Sequence, residues 1–401
     1  MHIGLLSPAW PAAAYPNGIV TYVDCLRDEL MRQGHRVSVV AVTAGKEDGA
    51  ESVFVPRLGW RDRLAASWST RMLRRPATVF EFGRTIAETM RRIHRRDPID
   101  VIEMEESFGF SACVAKLTRV PVVVKLHGPA FLTMVEEELS TPFGAEKVQR
   151  EGEALTRQRV VISPSRCTLD ETIARYGLHP ALALQVVNPV KINQDLPLWN
   201  LATCDRETLL FVGRFDKVKG ADILLEAFKL LVAKRPALKL VFVGPDGGLV
   251  QAGGAVVHLS EFVATLASPA LESGLSYRGR LDKATIYQLR TSALVTVVAS
   301  RRENQPYAAL EAMLQGCPVV CTDTSGLSEI VEHGVTGLKA RPADPVDLAA
   351  QIMRIVDEPS LGPALGAAAR AYVLAHHSPE RVVRQTIDVY RRAIALHDSS
   401  R

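Results

Sequence analysis

ETLLFVGRFDKVKGADILLEAFKLLVAKRPALKLVFVGPDGG, residues 207–248, reads as strand, helix, strand. "TLLFV" and "LKLVFV" are short apolar runs suited to strands buried on both faces. Between them, "GADILLEAFKLLVAKRP" puts Ile223, Leu224, Ala227, Phe228 and Leu231 on one face of a helix. Two strands joined by a covering helix form a parallel pair. The pattern continues through "LSYRGRL", "LVTVVAS", "CPVVCTD" and "GLKA". It also runs backwards through "HIGLLSP" (2–8), "RVSVVAV" (36–42), "DVIEME" (100–105), "VPVVVKLHG" (120–128) and "RVVISPS" (159–165). A helix is predicted over 18–34, and another in "SRCTLDETIARYGL" with a glycine stop signal.

The fold expected is α/β: two Rossmann-like doubly wound domains, 1–195 and 196–380, joined near "VNPVKINQDLPLWN" (187–200) and facing across a cleft. A chain of 401 residues is long enough for two such cores. Ligands of these folds bind at the carboxyl ends of the strands.

Composition narrows the classes. The chain is 47% hydrophobic and 23% charged, and its apolar runs are strand-sized, well short of the ~20 residues of a membrane span. The opening "MHIGLLSPAW" has no basic region followed by a long apolar core, so no signal peptide is expected and a cytoplasmic location is. The six cysteines form no C-x-x-C and are expected to be reduced. Net charge is only +4, yet Arg57 to Arg96 holds eleven arginines against three acids, interleaved with Trp60, Leu64, Trp68, Met72 and Leu73. Such a segment suits an anionic membrane surface or an anionic acceptor, or is a solvated helix face. No nucleic-acid-binding motif accompanies it, and no G-x-G-x-x-G follows the first strand to suggest a dehydrogenase.

The candidate site residues lie at strand ends. Gly213 and Arg214 end one strand and Lys219 precedes a helix, a placement that turns two cations and helix N–H groups toward one anion. In "SRRENQPYAALEAMLQGCPVV" (300–320), Glu303 leaves a strand, Pro306 suits the first position of a helix, and Glu311 falls in its second turn. Main-chain amides from Asn304 through Gln305 and Tyr307 to Ala308 are expected to offer N–H groups to phosphate. Glu311 suits a ribose diol and Glu303 sugar hydroxyls. A surface salt bridge is the ordinary alternative for either glutamate.

These motifs together resemble glycosyltransferase family 4, retaining enzymes of the GT-B fold. The Glu-x7-Glu stretch is similar to the family signature. "FVGRFDKVKG" resembles its Arg…Lys-Gly segment, and "DTSGLSEIVEHGVTGLKARPADP" (323–345) the stretch after the next strand. "YPNGIVTYV" (15–23) resembles the glycine loop at the donor phosphates, with Asn17 in place of the first glycine and Gly18 kept. "KLHGP" (125–129) resembles the segment that holds an active-site histidine, here His127. Two departures stand out: "ENQP" puts Gln305 where an aromatic is usual, and the linker reads "NPVK".

The resemblance implies transfer of a glycosyl unit from a UDP- or GDP-linked sugar to a hydroxyl acceptor, with retention and without an essential metal or other cofactor. It implies that His127, Arg214, Lys219 and Glu303 serve catalysis and that Gly18, Gly213, Asn304, Gln305, Pro306, Tyr307 and Glu311 hold the donor. Glu105 and Glu106, at another strand end, are candidates to orient the acceptor. A final helix, about 381–401, is expected to pack back on the first domain. The basic segment favours a lipid-linked or anionic acceptor at the inner face of the plasma membrane, hence cell-surface polysaccharide or glycolipid assembly. A soluble acceptor, an epimerase, hydrolase or phosphorylase on the same fold, and a non-catalytic scaffold are the alternatives.

Overall fold

The computed structural model describes residues 1–15, 17–44, 52–56, 77–193 and 195–399. The chain divides into two compact units. The first comprises Met1–Leu132, Leu139–Pro189 and Pro379–Arg401; the second comprises Thr133–Glu138 and Val190–Ser378.

The first unit is built on a seven-stranded parallel sheet of β1 (His2–Trp10), β2 (Arg36–Ala44), β3 (Val53–Phe54), β4 (Val101–Glu105), β5 (Val122–Lys125), β6 (Val160–Ser163) and β7 (Leu182–Gln185). Their order is β3-β2-β1-β4-β5-β6-β7. The chain winds outward from β1 to β3, then returns to β4 beside β1, so the direction of winding reverses between β1 and β4. Each of β4, β5 and β6 is buried along its whole length, with Glu103, Glu105 and Lys125 enclosed among the valines and isoleucines that fill the core. Helix Arg166–Tyr176 illustrates the local code. Ser165 accepts the Thr168 N–H at its start, and Gly177, in the left-handed region at φ 57°, ends it.

Helix Pro379–Asp398 belongs to this unit despite lying at the other end of the sequence. Tyr390 Oη donates to Glu103 Oε2 at 2.9 Å, and Arg159 Nη1 donates to the Leu396 carbonyl at 2.7 Å. Helix Ala77–Arg96 buries Ile86, Ala87, Met90 and Ile93, and leaves Arg84, Arg91, Arg92, Arg95 and Arg96 exposed. This part of the basic stretch is the solvent face of an amphipathic helix. Residues 57–76, with both tryptophans of the stretch, lie outside the described residues. No described helix is long and apolar enough to cross a membrane.

The second unit carries a six-stranded parallel sheet of β8 (Asp205–Val212), β9 (Lys239–Val243), β12 (Leu275–Gly279), β13 (Ala293–Val298), β14 (Val319–Thr322) and β15 (Leu338–Ala340), in the order β12-β9-β8-β13-β14-β15. A small antiparallel pair, β10 (Leu249–Val250) and β11 (Val256–Val257), stands apart. The helix expected from the 207–248 stretch spans Ala221–Lys234 and buries the whole apolar set named above. The winding reverses between β8 and β13, a switch point of the kind at which such sheets bind ligands. All six cysteines are free, with Cys25, Cys317 and Cys321 buried.

Candidate active site

In the second unit the switch point gathers Arg214, Lys219 and Glu303. Because β8 and β13 are neighbours, the loops leaving their carboxyl ends meet. Gly220 brings them into contact. It has φ 63°, and a Cβ there would stand 1.9 Å from the Ala299 carbonyl oxygen, so only glycine allows this approach. Lys219 Nζ then lies 2.5 Å from Glu303 Oε1, which also accepts Ser300 Oγ at 2.7 Å. Arg214 Nε lies 2.8 Å from Asp216 Oδ2, while Asp216 Oδ1 accepts the Lys219 N–H at 2.7 Å. Gly213, whose N–H donates to the Val243 carbonyl, fixes where Arg214 leaves the sheet.

Two residues that sequence reading passed over hold this loop. Arg301 grips Asp222 through two parallel 2.7 Å hydrogen bonds and also donates to the Lys217 carbonyl at 2.8 Å. Lys217 Nζ in turn pairs at 2.5 Å with Glu137, in the short Thr133–Glu138 segment of the same unit. The signal for Arg301 was faint, a basic residue one position beyond Ser300.

Helix Tyr307–Leu314 starts one residue later than the sequence suggests. Pro306 is its N-cap (φ −75°, ψ 124°), not its first helical residue, and its carbonyl accepts the Ala309 and Leu310 N–H groups. Asn304 and Gln305 are buried before it. Glu311 is also buried, between Arg290 Nη2 at 2.8 Å and Lys283 Nζ at 3.1 Å. Burial pushes its carboxyl up, but Arg290 and Lys283 outweigh that and hold it below the usual range. Neither cation was singled out from the sequence.

In the first unit, His127 follows β5 and packs edge-on against Tyr22, with ring centroids 4.8 Å apart. Burial and the Lys125 ammonium lower its pKa to about 3, so the imidazole is neutral at physiological pH. Its main chain is held from below. Glu106 Oε2 accepts the His127 N–H at 2.9 Å and Glu106 Oε1 the Gly128 N–H at 2.7 Å, while Glu151 Oε2 accepts the Ala130 N–H at 2.7 Å. Glu106, only 1% exposed, is therefore turned inward to position this segment, unlike the acceptor contact expected of it. Glu105 is buried too and accepts Ser107 Oγ. Gly18 opens helix Gly18–Arg32, capped by the Asn17 side chain on the Ile19 N–H at 2.8 Å. Asn17, which stands in place of the first glycine of this loop, is thus the helix cap.

At this switch point an arginine and a lysine, each paired with a carboxylate, present two cations that can meet an anion. Residues 16–193 match the family model for Glycosyltransferase Family 4, and residues 200–372 match that for Glycosyl transferases group 1. The chain belongs to the family-4 glycosyltransferases and has the GT-B fold. It is 27% identical over 344 residues to the D-inositol 3-phosphate glycosyltransferase of Nocardioides sp., covering 80% of this chain and 73% of that one. To the enzyme of the same name from Streptosporangium roseum it is 31% identical over 300 residues, 69% and 66% of the two chains. Among solved structures, sucrose-phosphate synthase from Thermosynechococcus elongatus superposes with a TM-score of 0.76 at 22% identity, over 98% of this chain and 99% of that one. Anabaena Alr3699/HepE in complex with UDP-glucose superposes with a TM-score of 0.71 at 19% identity over the full length of both.

Proposed function

We propose that the protein is a retaining, metal-independent glycosyltransferase that moves a sugar from a UDP-linked donor to a hydroxyl acceptor. The observation that carries this reading is the meeting of Arg214, Lys219 and Glu303 at the β8/β13 switch point. Cleaving a sugar–diphosphate bond builds negative charge on the leaving phosphate. A guanidinium and an ammonium fixed beforehand stabilise that charge without a divalent ion. N–H groups at the Gly18 and Tyr307 helix starts add to them. Glu303, held by Lys219 and Ser300, is placed to accept donor-sugar hydroxyls, and Glu311 to accept those of the ribose. Neutral His127 can hydrogen-bond a sugar hydroxyl without bringing a cation to an electron-poor anomeric carbon. Attack from the leaving group's own face, with the departing phosphate oxygen taking the acceptor's proton, gives retention. The two glutamates serve as hydrogen-bond acceptors and not as a glycosidase pair.

UDP is favoured over GDP by the UDP-glucose complex of the structural neighbour. For the acceptor, the exposed arginine face of helix Ala77–Arg96 supports an anionic or lipid-linked molecule and peripheral contact with the cytoplasmic leaflet, as in polysaccharide or glycolipid assembly. A soluble phosphorylated acceptor is the second reading, supported by the name of the inositol-phosphate relatives. The test is a thermal-shift screen with UDP-, GDP- and other nucleotide sugars, followed by turnover in excess chelator and assignment of the product anomer by NMR. An inverted product, or activity abolished by chelator and restored by Mg²⁺, overturns the mechanism. Rapid donor consumption without acceptor points instead to a hydrolase or epimerase.

A further inference from the structure

Helix Lys283–Ser292 presents two cations to Glu311 from one face, seven residues and about two turns apart. Their surroundings differ sharply. The Arg290 side chain is 1% exposed and Lys283 about half exposed. Tyr287 lies between them, with its ring centroid 5.7 Å from the Arg290 guanidinium carbon and 5.8 Å from Lys283 Nζ. Among the described residues Arg290 Nε and Nη1 have no hydrogen-bond partner, and Glu311 is the carboxylate that Arg290 pairs with.

Burying a guanidinium for stability alone is a poor bargain, because a buried ion pair is often matched or bettered by apolar side chains of the same volume. What the pair does provide is orientation. A carboxylate has about four lone-pair positions on its two oxygens. Arg290 takes one on Oε2 from inside, and Lys283 takes one on Oε1 from the solvent side. One position on each oxygen remains, which matches the two hydroxyls of a vicinal diol. We propose that Arg290 is the positioning residue that fixes Glu311 as an oriented carboxylate acceptor for the ribose diol of the donor nucleotide, with Lys283 steering the outer oxygen. This rests on the reading that Glu311 holds the ribose.

The geometry has a consequence for pH. Burial raises the Glu311 carboxyl, and Arg290 and Lys283 together bring it below its ordinary value. The other titratable groups facing this cluster are Tyr287, which lies near both cations, and Cys317, buried near Arg290 with its thiol pushed up to about 11. Without Arg290, burial prevails, and Glu311 takes up a proton at a pH where the wild type stays ionised.

The test uses the full chain and whichever of UDP or GDP raises its melting temperature more. Binding of that nucleotide and of its 2′-deoxy form is measured by calorimetry from about pH 6 to about pH 9. In the wild type the ribose form should bind about tenfold more tightly, as expected for a hydrogen bond to a charged group, with no dependence on pH. In Arg290→Met the preference should fall below about twofold at the acid end and recover as pH rises; Arg290→Lys should be intermediate. An Arg290→Met preference equal to wild type at every pH overturns the proposal. Should that variant not fold, Arg290→Lys decides, and an undiminished preference in it overturns the proposal equally. Glu311→Ala separates the two levels. If it keeps the wild-type preference, the assignment of Glu311 to the ribose fails; if it loses the preference while the Arg290 variants keep it, only the positioning role fails.

Discussion

Lys219 Nζ lies 2.5 Å from Glu303 Oε1, although 84 residues separate them, and Ser300 Oγ donates to the same oxygen at 2.7 Å. The contact follows from strand order. β13 inserts beside β8, so the residues leaving both strands at the carboxyl edge share one corner of the unit. Here an ammonium and a carboxylate hold each other in place, so neither side chain has to be ordered when an anionic donor arrives.

Removing either cation should cost activity and spare the fold. Arg214→Ala and Lys219→Ala are each expected to lower kcat/KM by about 2–4 kcal/mol in barrier terms, the range for losing a fixed electrostatic donor. Melting temperatures should stay near wild type, since Arg214 is more than half exposed. Steady-state kinetics with near-wild-type rates in both variants would falsify this account of leaving-group stabilisation.

Gly220→Ala should act through the backbone. At φ 63° with a carbonyl oxygen 1.9 Å from the new Cβ, the loop has to shift away from Ala299. A stability loss above about 1 kcal/mol is expected in urea unfolding, together with a fall in kcat as Lys219 moves off Glu303. A variant as stable and as active as wild type would show that the close approach is dispensable.

The Arg301–Asp222 pair should be coupled to catalysis without touching the donor. Both single alanine variants should lower kcat/KM by loosening the loop that bears Lys219, and the double variant should do little more. A coupling energy of about 0.5–3 kcal/mol is expected from the double-mutant cycle. Strict additivity would place Arg301 outside the support of the site.

The carboxylates under His127 predict an unusual pH response. Burial followed by the Glu106 charge raises Glu151 to about 8, and burial followed by the same charge raises Glu105 to about 7. For a carboxyl whose folded pKa lies above the unfolded one, the folded state binds the extra proton. Stability from these two groups is therefore present at low pH and lost as pH rises from about 4.5 towards 8. Glu151→Gln keeps an oxygen for the Ala130 N–H and removes the ionisation, so it should flatten the decline. Denaturant midpoints collected across that window check this, and an unchanged slope in the variant would refute it.

The alternation of apolar runs and amphipathic helices determined by itself that the chain builds parallel sheets covered by helices. Local punctuation set the element ends to within a residue or two, as Gly177 and Pro306 show. The spacing of Glu303 and Glu311, and of Arg214 and Lys219, was enough to single out these charged side chains, because strand ends are written in hydropathy. Tertiary structure alone decided their partners. Arg290 reaches Glu311 from a different helix, Arg301 reaches Asp222 in the first turn of helix Ala221–Lys234, and Glu106 turns inward beneath His127. Each depends on which strands lie side by side, and strand order has no periodic signature in the sequence, since burial drives it and the lowest-energy arrangement of the whole sheet fixes it.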